Sequence, residues 1–477
     1  MKFKNPEDHF SQALSNHRRA DFVTARHLYE LVLAANPEHI QASHNLGLLE
    51  LQTGNAIRAA ELLRKAVHHL PNDPTYRSNL AFALQASGNL TRAVEEGKIA
   101  CELDAKSAAL RSNLGKIFLE AGEVVAAIEA FKIALELDQE SIKAYLNLSY
   151  GFEAAMKFDE AKKVVSDALK KFPGEPNLEN QLGSLHLKGG NFEIGFKYWN
   201  ASGIDLDLRD SVGTKKQIAL GKLRGKKLHV KFGANFLHDV MFARFLRKLK
   251  QYGIQTIITC PKSYFGLFVS NTNIDRIYES GSRVDADYQF DSRALPKLLS
   301  VKSLPDIYSP PYFFSDPLLS AKITKKLGIE LKKNYIVIHR QSSKDEPGKK
   351  ITDSLRSKFD ELKDEIDRSF SGNLEIALAY SFLDTTSQQI IDCHVINNAS
   401  GQPLNLSLEH MTALIGSAEY LYTDDPSAAG LCGTLGINVK LEIERESSSW
   451  EWFQASRYQS LWFPTVSLNF LGKEFIT

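Results

Sequence analysis

Two stretches in the C-terminal part of the chain place reactive or basic side chains directly after a predicted strand. His238 follows the strand predicted at 227–232, and Arg340 and Lys344 follow the strand predicted at 334–339. A histidine at such a turn can act as a general base toward a hydroxyl, and two neighbouring cations can hold phosphate oxygens. Each residue can equally be an ordinary solvated loop residue, so both interpretations stay open.

A third candidate is the turn that follows the strand predicted at 420–423. Asp425 is predicted as a helix N-cap, and Pro426 suits the first helical position because its missing N–H is not needed there. The free amides of that helix, around Ser427 and Ala428, would point beyond the carboxyl end of the strand. Ligands bind at this edge of open α/β sheets, and helix N-termini favour phosphate, so the turn predicts a phosphate site.

Two further carboxylate features are weaker candidates. Glu442 ends the last predicted strand, where a carboxylate can accept hydrogen bonds from ribose hydroxyls. Asp285 and Asp287 have the Asp-x-Asp spacing of some metal sites, but they begin a predicted strand and are interpreted as structural. No metal site is predicted.

The elements that would position these residues lie beyond residue 203, where short apolar runs alternate with helices. This alternation is typical of a parallel sheet. Strands are predicted at 227–232, 255–259, 275–278, 287–290, 334–339, 374–380, 394–397, 420–423 and 439–443, and helices at 237–252, 295–301, 318–327, 354–370 and 407–416. The proline-rich stretch 309–317 separates two halves, so we predict Rossmann-like domains at 204–313 and 314–477 with a cleft between them.

Residues 1–203 have a different pattern, with a period of 34 residues. Small residues recur as Ala13, Gly47, Ala81, Gly115, Ser149 and Gly183, and again as Ala25, Ala59, Ala93, Ala127, Ala161 and Gly195. Small residues at fixed positions let the two helices of a hairpin cross closely, and glycines between them suit left-handed turns. The pattern resembles the tetratricopeptide repeat and predicts about six repeats, stacked as a superhelix.

Asparagine recurs at the same spacing on the first helix of each hairpin, at Asn45, Asn79, Asn113 and Asn147. We call these four residues the asparagine ladder. Amides that line a groove can hydrogen-bond an extended peptide without selecting its side chains, which predicts a protein or peptide partner. The alternative is that each asparagine bonds the neighbouring repeat.

Composition narrows the class of protein. The chain has 477 residues, with 58 Lys and Arg against 57 Asp and Glu, so its formal charge of +1 gives no general attraction to nucleic acid or an anionic membrane. The four cysteines lie far apart and form no C-x-x-C pattern. The N-terminus lacks the apolar run of a signal peptide, and no apolar stretch is long enough for a membrane span. These features predict a cytoplasmic protein without a membrane span.

The C-terminal part resembles the tetratricopeptide-linked glycosyltransferases related to the lipopolysaccharide heptosyltransferases, which have the two-Rossmann GT-B fold. The matching stretches are GNFEIGFKYW (190–199), FARFL (242–246), ALPKLL (294–299), PPYFFSDP (310–317), MTALI (411–415), the turn at 424–428, SWEWF (449–453) and WFP (462–464). These stretches occur in the same order as in that family and are spread over most of residues 190–465.

This resemblance implies metal-independent, inverting transfer of a hexosyl or heptosyl group from a nucleotide sugar, with no further cofactor. A carboxylate would deprotonate the acceptor hydroxyl while basic groups and helix amides hold the diphosphate. The catalytic candidates are Asp239 or, by direct alignment of the loop, His238. The donor-binding candidates are Arg340, Lys344, Asp425, Ser427, Ala428 and Glu442.

The chain departs from the family pattern at these positions. The glycine-rich first loop is replaced by FGANFLHD (232–239), the donor turn lacks the usual threonine and histidine, and Trp-Ser-Gly is replaced by HRQ (339–341). Two hypotheses follow. The first is a glycosyltransferase whose repeats recruit a protein or glycan acceptor, and the second is a noncatalytic scaffold that binds partner proteins through the repeat groove.

Overall fold

The computed structural model describes two compact units, Met1–Leu178 and Glu179–Thr477. The described residues are 6–199, 208–210, 213–216, 219–307, 309, 311–327, 335–342, 357, 360, 375–384, 389–396, 403–444, 460, 462–463 and 465–471. The predicted boundary at residue 203 lies after the division between the units, which falls inside a helix.

The first unit is built from helical hairpins. Its helices are α1 (Pro6–Arg18), α2 (Phe22–Ala35), α3 (Ile40–Gln52), α4 (Ala56–His69), α5 (Pro74–Ala86), α6 (Leu90–Leu103), α7 (Ala108–Glu120), α8 (Val124–Leu137), α9 (Ile142–Ala154) and α10 (Phe158–Lys171), followed by α11 (Pro176–Lys188) across the division. The turns between paired helices place Gly54, Gly88 and Gly122 at φ of 85°, 79° and 74°. These left-handed residues confirm the predicted hairpin turns.

Close crossing inside each hairpin explains the small-residue series. A side chain on Gly47 would lie 2.7 Å from Leu63 Cγ, and one on Gly115 would overlap the ring of Phe131. Ala59, Ala93 and Ala127 on the second helices are fully buried. The periodic pattern therefore records where one helix of a hairpin touches the other.

The first helices of successive hairpins also contact one another, with α3 against α5, α5 against α7 and α7 against α9. We call the surface that these first helices share the inner face of the array. Each position on it recurs 34 residues later, on the next helix. A residue type that recurs at this spacing therefore forms a line across several repeats.

The second unit begins with the rest of α11 and α12 (Phe192–Tyr198), and its core is aromatic. Phe196 lies 6.4 Å from Phe242 and 6.2 Å from Trp462, measured between ring centroids. Side chains from residues 192–199, 236–246 and 462–463 thus share one core cluster with the two sheets. The sixth predicted hairpin is part of this core.

The second unit contains two sheets. Its strands are β1 (Leu208–Asp210), β2 (Lys215–Lys216), β3 (Lys227–Lys231), β4 (Gln255–Cys260), β5 (Arg276–Glu279), β6 (Tyr288–Asp291), β7 (Tyr335–Ser342), β8 (Glu375–Asp384), β9 (Gln389–Ile396), β10 (Pro403–Leu406), β11 (Tyr420–Thr423), β12 (Asn438–Glu444) and β13 (Val466–Leu471). The first sheet has the order β2-β1-β6-β3-β4-β5 and the second β10-β9-β8-β7-β11-β12-β13.

Parallel pairing dominates the centre of both sheets. In the first sheet, β6, β3, β4 and β5 are parallel, and in the second, β8, β7, β11, β12 and β13 are parallel. In the first sheet the chain runs from β3 outward to β4 and β5, and β6 then pairs with the other side of β3. In the second sheet it runs from β7 outward to β8, β9 and β10, and β11 then pairs with the other side of β7. The predicted parallel α/β architecture is therefore present, and the order reverses at β3 and at β7.

The helices of this unit are α13 (Phe236–Phe242), α14 (Leu246–Gln251), α15 (Phe265–Val269), α16 (Leu295–Leu298), α17 (Leu304–Ile307), α18 (Pro317–Leu327), α19 (Leu408–Ile415) and α20 (Pro426–Leu435). The helix predicted at 237–252 is instead two helices joined by a 3-10 turn at Ala243–Phe245. Strand β9 runs antiparallel to β8 and follows it after only four residues of sequence, so it is a hairpin strand rather than a parallel one. The helix predicted at 354–370 lies outside the described residues apart from single positions.

Candidate functional site

The asparagine ladder lies on the inner face, and two of its four residues are hydrogen-bonded to the preceding repeat. Asn79 Nδ2 is 2.9 Å from His44 Nε2, and Asn113 Nδ2 donates to Ser78 Oγ at 3.3 Å. Asn45, on the first rung, donates instead to the backbone carbonyl of Gln41 at 2.8 Å. Asn79 and Asn113 therefore each bond the preceding repeat, as the alternative interpretation of the asparagine ladder requires.

These bonds use only part of each amide. An asparagine side chain has two N–H donors and one carbonyl acceptor, and a single bond through Nδ2 fixes the plane of the group. Asn79 and Asn113 are half-buried, and each makes one side-chain hydrogen bond within the described residues. The same contact thus links two repeats and holds an amide in place on the inner face.

Asp239 lies inside the protein, at the point where the strand order of the first sheet reverses. Its side chain is completely buried, Oδ2 accepts from the Gly233 amide at 2.7 Å, and Oδ1 accepts from Ser292 Oγ at 2.8 Å. These bonds join the loop after β3 to the turn after β6. Burial raises the pKa of Asp239 to about 8, although both hydrogen bonds favour the ionised form.

His238 is part of the aromatic core of the second unit. Its ring stacks on Phe242 with centroids 5.6 Å apart and meets Trp199 edge-on at 5.3 Å. Its backbone amide donates to Asn235 Oδ1, which caps α13. The two candidates for a catalytic base are therefore adjacent on one helix, but each has a packing role of its own.

The turn at Asp425 has the predicted local geometry. Asp425 is the N-cap of α20, its Oδ1 accepts from the Ser427 amide at 2.7 Å, and Pro426 occupies the first helical position. The Asp425 amide in turn donates to Thr423 Oγ1, which also contacts His339 Nδ1 at 3.0 Å. This buried network joins the ends of β7 and β11, where the strand order of the second sheet reverses.

Packing explains the small residues of α20. A side chain on Gly430 would lie 2.6 Å from Leu237 Cδ1, and one on Gly433 would lie 2.6 Å from Phe463 Cβ. Ser427 and Ala428, two predicted donor contacts, are buried in the same helix. The structure thus brings α13 and α20, which carry candidates from both halves, into direct contact.

The other candidates are placed as follows. Glu442 is nearly buried on β12, and the side chain of Arg340 and all of Lys344 lie outside the described residues. Asp285 pairs with Lys227 Nζ at 2.7 Å, and Asp287 Oδ2 accepts from the Lys227 amide at 2.8 Å. Both aspartates thus have structural partners, and among the described residues no cluster of His, Cys, Asp or Glu is arranged to hold a metal ion.

The sequence reasoning missed two charged residues on the inner face. Lys116 lies three positions after Asn113 on α7, and Lys143 lies four positions before Asn147 on α9. Residues three or four apart share one side of a helix. Spacing from the ladder is therefore the signal that would have found them.

A family model for the tetratricopeptide repeat matches residues 11–76 and 79–142. The N-terminal region is an array of tetratricopeptide repeats. No curated protein sequence matches the chain significantly. Within the described part of the chain, every helix is too short or too polar to cross a bilayer.

Several solved structures are similar to part of the chain. A MamA protein is 25% identical over 35% of this chain and 91% of its own, with a TM-score of 0.33. A tetratricopeptide repeat protein from Thermus thermophilus is 22% identical over 38% of this chain and 100% of its own, with a TM-score of 0.32. A tetratricopeptide repeat protein from Parabacteroides merdae is 16% identical over 40% and 77%, with a TM-score of 0.37.

Proposed function

We propose that the protein is a scaffold that binds an extended segment of a partner protein along the inner face of its repeats. The observation that carries this proposal is the pair of interrepeat bonds from Asn79 to His44 and from Asn113 to Ser78. Each bond orients an amide that keeps a donor and an acceptor for a ligand. An amide held in place loses little side-chain entropy when it binds.

The spacing between successive asparagines of the ladder suits a peptide backbone. Helices pack about 8–10 Å apart, and an extended chain advances about 3.3 Å per residue. One asparagine of the ladder can therefore contact about every third residue of an extended peptide. Tyr150, which is 46% exposed and one turn beyond Asn147 on α9, adds an aromatic surface on the same face.

The experiment compares the full chain with Asn79→Ala/Asn113→Ala in affinity purification followed by mass spectrometry. The matched control is Asn36→Ala/Asn89→Ala, which changes two exposed asparagines at helix ends. We expect one set of proteins to be retained by the wild type and the control and lost by the ladder variant. Equal retention by all three proteins would contradict binding through the ladder.

Sugar transfer from a nucleotide sugar to a recruited protein or glycan is the second candidate function. It is favoured by the reversal of strand order at β3 and at β7, since ligands of open α/β sheets bind at such points. In this proposal Asp239 or His238 is the base, and Arg340, Lys344, Asp425, Ser427, Ala428 and Glu442 hold the donor. Asp239 is completely buried and accepts two hydrogen bonds, which favours a positioning role for it instead.

A thermal-shift panel of nucleotides and nucleotide sugars tests this second candidate. A ligand at 100 times its Kd adds about 2.7 kcal/mol to the free energy of unfolding. A shift with one nucleotide class, together with loss of turnover but not of binding in Asp239→Asn or His238→Ala, would support transfer. Unchanged melting curves across the panel would rule out the enzyme hypothesis.

The cytoplasmic location of the protein stays a prediction under either function.

A further inference from the structure

The first junction between hairpins of the repeat array is ionic, whereas the next three are apolar. The side chain of Glu50 on α3 is completely buried, and Arg26 Nε on α2 donates to its Oε1 at 2.8 Å. The equivalent pairs at the next three junctions, at multiples of 34 residues, are Ala60 and Leu84, Val94 and Phe118, and Ile128 and Phe152. A charged pair thus fills a place that apolar side chains fill further along the array.

The Glu50 carboxylate has partners on both neighbouring sides. Asn55 Nδ2 donates to Oε2 at 2.6 Å, and Arg58 Nη1 on α4 lies 3.3 Å from Oε1. Arg58 also pairs with Glu30 on α2. Burial alone would raise the pKa of Glu50, but the hydrogen bonds from Arg26 and Asn55 outweigh burial and lower it. We call Arg26, Glu50, Asn55 and Arg58 the Glu50 cluster.

The apolar packing that holds the first hairpin, α1–α2, is limited. The buried apolar residues of α1, α2 and α3 form a small cluster, which is separate from the larger apolar cluster of α4–α9. Helix α2 also packs on α3 less extensively than α4 packs on α5 or α6 on α7. A terminal hairpin of such an array packs on one neighbour only. Opening of α1–α2 would therefore break the small apolar cluster and the Glu50 cluster, and would leave the larger apolar cluster intact.

We propose that the Glu50 cluster is an ionic latch that holds the α1–α2 hairpin closed on α3, because apolar packing alone does not keep it closed. A buried ion pair depends on both partners, since removal of one leaves an unpaired buried charge, whereas an apolar pair has no such dependence. Opening shortens the inner face by α1 and uncovers Ala42, Leu46 and Leu49 of α3, which are buried in the closed array. The latch thus controls which surface of the array a partner meets. It does not involve the asparagine ladder, so it is separate from the proposed partner binding.

The test measures amide hydrogen exchange of the full chain by mass spectrometry at neutral pH, because exchange reports the local opening of each helix. Glu50→Gln removes the charge of the latch and keeps the size of the side chain. Arg26→Val/Glu50→Phe installs the apolar pair of the third junction, Val94 and Phe118. Glu96→Gln is the matched control, since Glu96 pairs with Arg77 at 2.6 Å between α5 and α6.

In the wild type we expect the amides of α1 and α2 to exchange together and faster than those of α5–α8. Glu50→Gln should speed exchange in α1 and α2 by roughly tenfold or more and leave α5–α8 unchanged. The apolar variant should exchange in α1 and α2 no faster than the wild type, because an apolar pair of similar size replaces a buried ion pair at little or no cost. Glu96→Gln should leave α1 and α2 unchanged.

Four results would overturn the inference. In the wild type, the contrary result is equal protection of α1–α2 and α5–α8. In Glu50→Gln, it is unchanged exchange or an equal increase in α1–α2 and α5–α8. The role assigned to charge fails if the apolar variant exchanges in α1–α2 as fast as Glu50→Gln, or if Glu96→Gln opens α1–α2 equally.

Discussion

At the scale of single residues, Asp239 shows how burial decides the state of an ionisable group. Its pKa is raised to about 8 from 3.8, first by desolvation, while Ser292 and Gly233 offset part of the rise. The folded protein thus keeps a proton there at pH values where the unfolded chain has released it. Stability from this group is fully present below about pH 4 and is lost as pH rises toward about 8.

The first prediction follows from this linkage. Asp239→Asn keeps an acceptor for Gly233 and a donor for Ser292 but cannot ionise, so its melting temperature relative to the wild type should rise between pH 5 and pH 8. Melting curves at several pH values measure the difference. Asp285→Asn, at an exposed carboxyl, is the control and should show no such rise. If the melting temperatures of the wild type and Asp239→Asn changed with pH in the same way, Asp239 would have to ionise normally.

At the scale of helices and strands, close crossing sets which residues are tolerated. Gly115 on α7 faces the buried ring of Phe131 on α8, so an added methyl group needs the ring to move. Gly97 on α6 would place its methyl 3.0 Å from the end of the Leu114 side chain, which can rotate away. The same substitution thus has different costs at two helical glycines.

The second prediction is that Gly115→Ala lowers the free energy of unfolding by about 1–3 kcal/mol, since overpacking outweighs the gain in helix propensity. Gly97→Ala should change it by less than about 1 kcal/mol, because propensity and the small contact nearly cancel. Urea unfolding of both variants provides the comparison. Equal stability of the two variants would mean that the Phe131 ring has free space beside it.

At the scale of the whole molecule, buried polar contacts hold the second unit together. Arg244 is 4% exposed and donates through Nη1 to the carbonyls of Ile307 and Trp462, at 2.9 and 2.7 Å. Tyr312 Oη donates to the Val240 carbonyl at 2.6 Å. These bonds join the first half of the unit to the connecting stretch and to the C-terminal segment, so its two sheets should unfold together.

The third prediction tests this coupling. Arg244→Met leaves the two carbonyls without a donor, at a cost of about 1–3 kcal/mol each. We expect a lower melting temperature and two separate transitions for the second unit in calorimetry, with earlier cleavage between residues 307 and 317 in limited proteolysis. Arg247→Met, at an exposed position of α14, should behave as the wild type. A single shifted transition in Arg244→Met would show that the halves are coupled by other contacts.

The sequence by itself determined the features that repeat or depend on neighbours in the chain. The 34-residue period predicted the hairpins because each small residue marks the same local crossing, and Asp425-Pro426 predicted the start of α20 because capping is a local interaction. Alternating apolar runs likewise predicted most parallel strands of the two sheets.

Only the tertiary structure decided which polar groups are buried and what each one touches. It placed Asp239 between Gly233 and Ser292 and bonded Asn79 to His44 of the preceding repeat. Strands β1, β2, β10 and β13 and the antiparallel direction of β9 also emerged only there. These features depend on contacts between residues that lie far apart in the chain, so the local pattern of the sequence does not decide them.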